Sequence, residues 1–135
     1  MKRIRFCYHR GEQLKYISHL DMMRLWPRVF RRAGLDMVYS EGFNAHPRLS
    51  VAAPLAVGWT SEAELMEIWL DNPPLLPQVQ SLARAQLPEG LAIGAAVIMP
   101  PEALSLQSLV RFAEYRVSLP LDRPVAEIRR LRLMI

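Results

Sequence analysis

Two stretches of the chain alternate between apolar and polar side chains, which predicts two half-buried strands over residues 2–9 and 64–70. On the opposite face from the core, the second stretch carries Glu67 and Trp69. The side chains expected to face the core are Ile4, Phe6, Tyr8, Met66, Ile68 and Leu70. Each strand therefore presents one apolar face and one mixed face.

Between these strands, over residues 19–33, apolar side chains recur at the spacing of an α-helix, which predicts a helix there. Ser18 suits the N-cap with Asp21 three positions on, and Gly34 suits the position after the last turn. Pro27 lies inside the pattern and removes one intrahelical hydrogen bond, so we expect a kink. The face opposite the apolar stripe is basic and consists of Arg24, Arg28, Arg31 and Arg32.

The rest of the first hundred residues completes a β-α-β-β-α-β order. The pattern predicts a short strand at 36–40, an edge strand or extended segment at 49–57, a helix after Pro73-Pro74 up to Pro88, and an apolar strand at 91–99. This order predicts an α+β fold, a ferredoxin-like sandwich over residues 1–100. Two helices would cover one face of an antiparallel sheet, and the other face would be free for a partner.

Residues 101–135 follow a different pattern, that of a linker, a strand and a helix. Residues 103–110 indicate a short helix or linker, residues 112–119 alternate like a strand, and Asp122 with Pro124 begins a final helix. A strand and a helix without partners resemble a truncated second unit. Such a unit must pack on the first unit, pack on another copy or remain mobile, so a homodimer through this extension is one prediction.

Charge is distributed unevenly along the 135 residues, although the net value is only +4. Residues 1–60 carry +6, residues 61–110 carry −5 and residues 111–135 carry +3. A basic first half is typical of proteins with an anionic partner. Fifteen of the seventeen basic residues are arginine, which a biased genomic composition would also produce. Both interpretations stay open at this point.

The single cysteine, Cys7, cannot form an internal disulfide, which favours a reducing cytoplasm. Residues 1–20 contain no continuous apolar segment typical of a signal peptide, and no window holds 18 uninterrupted apolar residues. We therefore expect no membrane association. Histidine and cysteine lack zinc-ligand spacing, so no metal site is predicted.

The densest candidate chemistry lies in the segment Ser-Glu-Gly-Phe-Asn-Ala-His-Pro-Arg at residues 40–48. The amide of Asn44, the imidazole of His46 and the guanidinium of Arg48 lie two residues apart. In an extended segment these three side chains would point to the same side. His46 is a candidate acid or base, as is His19 in the first helical turn. The plainer alternatives are a histidine bonded only to its own loop, and simple helix capping. The predicted substrate-binding residues are Tyr39, Ser40, Gly42, Phe43, Asn44, His46 and Arg48.

Three runs together resemble one bacterial family, the radical-SAM-associated domain of unknown function. They are Lys-Tyr-Ile-Ser-His-Leu-Asp at 15–21, Arg-Arg-Ala-Gly-Leu at 31–35, and residues 39–48. The resemblance covers residues 2–70 well and the rest loosely. It implies a cytoplasmic bacterial protein that partners a radical SAM enzyme. One cysteine cannot hold a [4Fe–4S] cluster, so this chain would carry no cofactor, and the partner would supply the cluster and S-adenosylmethionine.

Three functions follow as hypotheses. The first is an accessory domain, without catalytic activity of its own, that binds an anionic substrate such as RNA, docks to the radical SAM partner, or does both. The second, from a distant fold-level resemblance to CRISPR repeat-processing proteins, is a metal-independent RNA endonuclease, with His46 or His19 as the general base. The third is a pure protein-docking module that meets an acidic surface. The predicted anion-binding residues are Arg24, Arg28, Arg31, Arg32 and Arg48.

Overall fold

The computed structural model describes residues 1–120, and its strands form one open, four-stranded antiparallel sheet. The strands are β1 (Lys2–Arg10), β2 (Leu49–Val51), β3 (Ser61–Leu70) and β4 (Leu91–Met99). They lie in the order β2-β3-β1-β4. The helices are α1 (His19–Arg32), α2 (Leu76–Arg84) and the single-turn α3 (Leu106–Leu109), and a 3-10 turn covers Glu12–Leu14. The described chain is therefore a mixed α/β fold.

The alternation predicted for β1 and β3 is confirmed by their register. Ile4 lies opposite Ile68, and Phe6 lies opposite Met66, so the apolar residues of the two strands share one face. All six predicted inward residues are buried. This face supports the core, because a strand exposes alternate side chains to the same side.

Helix α1 packs on this sheet face through aromatic side chains. The Trp26 ring is fully buried, with its centroid 5.1 Å from that of Tyr8 and 6.0 Å from that of Phe30. The Phe30 ring in turn lies 5.9 Å from that of Phe6. Helix α2 adds the fully buried Val79 and Ala83 to the same core. One layer of helices thus covers one face of the sheet.

Both predicted ends of α1 are confirmed. The hydroxyl of Ser18 accepts the backbone N–H of Asp21 at 3.1 Å, which satisfies one of the free donors of the first turn. At the other end, Gly34 has φ +72, a left-handed conformation that suits glycine. The helix is continuous through Pro27. Its position is thus fixed at both ends by the local sequence.

Other elements differ from the sequence predictions. Residues 36–40 form no strand and make only isolated bridges, Met37 with Leu70 and Tyr39 with Pro47. The predicted edge strand is shortened to three residues. The strand predicted over residues 112–119 is wrong, because the segment pairs with no strand of the described chain. The predicted final helix after Asp122 lies outside the described residues.

The sheet face away from the helices is partly covered, so the prediction that it is free is wrong around Glu67. This carboxylate is fully buried, and it accepts hydrogen bonds from Arg3 Nε and Arg5 Nε, both at 2.8 Å. Arg3 also donates to the carbonyls of Ala103 and Leu104, at 2.6 and 2.8 Å. The paired charges offset part of the cost of burying the acid, and the Arg3 contacts fasten residues 103–104 over the sheet.

Helix α3 extends this cover. Leu106 is buried, and the amide of Gln107 donates to the carbonyl of Val51 at 2.9 Å. Residues 103–107 therefore pack on the first unit, while the division of the chain into two domains stays a prediction. Within residues 1–120, no helix is long and apolar enough to cross a membrane.

Candidate functional site

Residues 40–46 form a closed loop, which a short connecting segment joins to the end of α1. The N–H of Ser40 donates to the carbonyl of His46 at 2.8 Å, and the N–H of His46 donates to the Ser40 hydroxyl at 3.1 Å. Gly42 has φ +112, a backbone conformation that L side chains rarely adopt. Loop closure and a glycine at the required position fix the path of the chain at this exposed site.

The imidazole of His46 is turned toward its own loop. Its Nδ1 lies 3.2 Å from the carbonyl oxygen of Asn44 and 3.1 Å from the Ser40 hydroxyl. The Asn44 carbonyl only accepts, whereas the Ser40 hydroxyl can donate or accept, so these two contacts hold the ring against its own loop in either tautomer. The side chain is exposed, as is that of Asn44.

The Arg48 side chain has a separate environment from that of His46. Its guanidinium lies 4.6 Å from the ring centroid of Trp69, and the guanidinium of Arg3 lies 5.4 Å from the same ring. These distances are typical of cation–π contacts. Within residues 1–120, the Arg48 hydrogen bond is to the sulfur of Met1, at 3.6 Å. Its charge faces no carboxylate there.

Two aromatic side chains stand at the surface of this region. Phe43, at the far end of the loop, is fully exposed, with a relative exposure of 109%. Tyr39 is half-exposed, and its hydroxyl accepts a hydrogen bond from Arg31 Nη2 at 3.3 Å. The Arg31–Tyr39 contact joins the last turn of α1 to the start of the loop. The structure thus brings part of the basic helix face and the predicted loop residues together.

The basic face of α1 is exposed to solvent along its length. Arg24 lies 3.9 Å from the carboxylate of Asp21. No carboxylate of residues 1–120 lies within 4 Å of Arg28, Arg31 or Arg32. In this respect they differ from Arg3 and Arg5 of β1, which both pair with Glu67. Three guanidinium groups of α1 are therefore available for an anion.

His19 does not belong to this region. It is the first residue of α1, and a rise of 1.5 Å per residue separates it from Arg31 by about 18 Å along the axis. Arg31 is the helix residue that contacts the loop through Tyr39. The two candidate histidines are consequently at opposite ends of α1.

Sequence reasoning missed Arg10, which is fully buried at the end of β1. Its guanidinium donates to the carbonyls of Trp59 and Ala56, at 2.8 and 2.7 Å, and to that of Ile17 at 3.2 Å. Burial lowers the pKa of Arg10. Its position in the sequence could have revealed this burial. Arg10 follows Ile4, Phe6 and Tyr8 at two-residue steps, so the alternation of β1 places it on the same inward face. Arg10 ties the segment before α1 to the loop before β3.

A second exposed region lies on the far side of β3. Residues 106–118 and the start of β3 line an open groove of about 960 Å³. Within it, Tyr115 packs edge-on against Trp59 at 5.2 Å, and Arg116 pairs with Glu62 at 2.9 Å. Apolar side chains in and beside the groove are exposed, namely Leu65, Leu109, Val110, Phe112, Val117 and Leu119. No group of three or more metal-ligating side chains occurs within residues 1–120.

A model of a bacterial protein family matches residues 3–132, a range that includes α1, the loop and all of the sheet except Lys2. The chain belongs to this family, described as an uncharacterized protein conserved in bacteria (DUF2344). The match confirms that the chain is a bacterial domain of unknown function, and its description makes no reference to radical SAM enzymes. No curated protein matches the chain. The function must therefore be inferred from the site.

Proposed function

We propose that this DUF2344 protein is a non-catalytic accessory domain that binds RNA on the basic face of α1 and the adjoining loop. The observation that carries the proposal is the availability of Arg28, Arg31 and Arg32, which have no carboxylate within 4 Å among residues 1–120. Guanidinium groups suit phosphate oxygens in both charge and geometry. Arg48, which stacks on Trp69 on the sheet face away from α1, adds a further cation at the end of the loop.

The proposed setting is the bacterial cytoplasm, beside a radical SAM enzyme. This part of the proposal comes from the resemblance of residues 15–48 to the radical-SAM-associated domain. The free thiol of Cys7 fits a reducing compartment. The partner would carry the iron–sulfur cluster and S-adenosylmethionine, and this domain would present the RNA to it.

We also propose the finer fold assignment, a ferredoxin-like sandwich. The element order β1-α1-β2-β3-α2-β4 and the strand order β2-β3-β1-β4 support it. In this arrangement α1 and the loop that follows it are neighbours at one end of the sheet. The fold would then serve as the scaffold that holds the two parts of the RNA surface together.

The geometry favours binding over cleavage. Metal-independent cleavage of a phosphodiester benefits from a positioned base and acid within reach of the reacting atoms. His46 has its Nδ1 bound within the loop, and His19 lies about 18 Å along α1 from Arg31, the helix residue that contacts the loop. We therefore assign His46 a structural role in closing the loop and a place on the surface that recognises RNA.

A gel-shift titration with total tRNA and ribosomal RNA fragments tests this proposal. Arg28→Glu with Arg31→Glu should weaken binding at least about tenfold, since two phosphate contacts become repulsive. Arg111→Glu with Arg116→Glu makes the same change in net charge away from the site and should leave binding within about twofold. Equal losses in both variants would contradict a localised site. Cut RNA on the same gels would favour the endonuclease.

Protein docking is a second candidate function, carried by the exposed apolar residues beside the groove at β3. Phe112 is 89% exposed and lies among other exposed apolar residues, and a contiguous patch of this kind is typical of an interaction site. The radical SAM partner should copurify with the wild-type protein and be lost after Phe112→Ser. Phe43→Ser is the matched control at the other exposed phenylalanine. Recovery of a second copy of this chain instead of the enzyme would favour a homodimer.

A further inference from the structure

Phe43 differs from the other aromatic side chains near the basic surface. Phe6, Phe30 and Trp26 are fully buried, and Trp69 is flanked by two guanidinium groups. Phe43 is fully exposed and makes no aromatic or cation–π contact within residues 1–120. Both faces of its ring are thus available to a ligand.

The loop fixes the backbone that carries this ring before any ligand arrives. Two backbone-directed hydrogen bonds close the loop between Ser40 and His46, and the His46 ring adds a third contact to the Asn44 carbonyl. A preorganised loop backbone loses little conformational freedom when it binds, so more of the contact energy is retained. The loop is therefore built to present one aromatic ring.

The charges around Phe43 select the class of ligand. Arg31 reaches the base of the loop through Tyr39, and Arg32 and Arg48 lie on the elements that flank it. Glu41 is the acidic neighbour within the loop. An exposed phenyl ring among several cations matches a nucleobase attached to phosphates more closely than it matches an apolar protein pocket.

We propose that Phe43 stacks on an unpaired base of single-stranded RNA whose phosphates contact the arginines of α1. This inference rests on the proposed function and specifies its substrate. In a duplex the bases are stacked on each other, and an external ring cannot enter without opening the helix. The protein should therefore prefer single strands to duplexes, and Phe43 should carry that preference.

Fluorescence-polarisation titrations with a labelled single-stranded RNA and a duplex of the same length test the inference. Phe43→Ala should weaken single-strand binding about 5- to 150-fold, the effect of losing one stacked base, and leave duplex binding unchanged. Phe43→Leu keeps an apolar side chain without a π face and should lose nearly as much. Phe43→Trp should retain the affinity. Phe112→Ala is the control for an exposed phenyl ring elsewhere.

The possible outcomes separate this inference from the proposal on which it rests. If the wild-type protein binds neither RNA, the proposed function fails and the inference fails with it. If the wild-type protein binds but Phe43→Ala changes nothing, or if single strand and duplex lose affinity equally, only the stacking role is overturned. Full affinity in Phe43→Leu would show a hydrophobic contact and would also overturn it.

Discussion

At the scale of single residues, the buried Glu67 gives the strongest effect that we expect on stability. Its carboxylate is the counterion of Arg3 and Arg5, and Arg3 in turn holds the carbonyls of residues 103–104. Glu67→Gln keeps the shape and removes the charge, which leaves two guanidinium groups in a poorly hydrated place. We expect a loss of about 3–5 kcal/mol in the free energy of unfolding, measured by urea denaturation.

Glu62→Gln is the matched control for this substitution. Glu62 also pairs with an arginine, Arg116, but both side chains are exposed. An exposed pair contributes little, so the control should lose less than about 1 kcal/mol. If the two variants lose the same small amount, the arginines around Glu67 are well solvated and the cluster does not fasten residues 103–104.

Ionisation of Tyr8 should lower the stability of the folded protein at alkaline pH. Burial, with a smaller effect from Glu64, raises the pKa of Tyr8 to about 12, from 10.0. Between these values the folded state retains a proton that the unfolded state releases, so the free energy of unfolding falls as pH rises through this window. Two pKa units correspond to about 2–3 kcal/mol. Below pH 10 the residue should have no effect.

The Tyr8→Phe variant isolates this effect from other groups that titrate at high pH, Lys15 among them. Its free energy of unfolding should fall less steeply than that of the wild-type protein between pH 10 and 12. Urea denaturation at pH 9, 10, 11 and 12 measures the difference. Parallel pH profiles for the two proteins would mean that the Tyr8 hydroxyl reaches solvent in the folded state.

At the scale of elements, α1 depends on the cap at its first turn. Ser18→Ala removes the acceptor for the Asp21 N–H and should cost about 1 kcal/mol of stability. Ser18→Asp supplies another acceptor with a favourable charge at the helix N-terminus and should restore it. Thermal denaturation of the three proteins measures both changes. A Ser18→Asp protein no more stable than Ser18→Ala would contradict the capping role.

Substitution of Gly42 in the loop at 40–46 should change the affinity for RNA more than the stability of the protein. A side chain at φ +112 strains the backbone although nothing lies within 4 Å of it, so Gly42→Ala should shift the loop. We expect weaker RNA binding with a global stability change below about 2 kcal/mol. Gly58→Ala, at φ +89 and also in open space, is the control for strain elsewhere. Equal RNA affinity in the two variants would contradict the role of loop shape.

The elements that the sequence predicts well are those with a complete local signal. The Ser18 cap, the apolar stripe and Gly34 define α1 without reference to the rest of the chain, and β1, β3 and β4 show period two or a continuous apolar run. Residues 112–119 also alternate, yet they form no strand, because a strand needs a neighbour to accept its hydrogen bonds. Local pattern contains no information about that neighbour.

At the scale of the whole molecule, the sequence predicted which loop and which helix face form the site, but it did not predict how they lie relative to each other. Residues 40–48 stood out by residue type, and the arginines of α1 by spacing. The contact of Arg31 with Tyr39, the stacking of Arg48 on Trp69 and the distance of His19 depend on how the elements pack. The burial of Glu67 depends on arginines more than 60 positions away in the chain. Such long-range pairings leave no trace in a hydrophobic pattern.

The whole-molecule proposal is that a basic surface built from α1, the loop and Arg48 binds RNA through its phosphates. Its electrostatic part is separable from the stacking part, because neutralised phosphates release counterions and a stacked base does not. Five arginines contribute if the surface acts as a unit. Each contact to a single strand adds about 0.7 to the slope of affinity against salt concentration on logarithmic axes.

The most direct measurement is therefore the affinity for a single-stranded RNA across a salt series. For the wild-type protein, a surface of five contacts gives a slope of about −3.5, and Arg28→Ala with Arg31→Ala should make it shallower by about 1.4. Arg111→Ala with Arg116→Ala should leave the slope unchanged. A wild-type slope near zero, or the same slope in the two double variants, would contradict RNA binding at this surface.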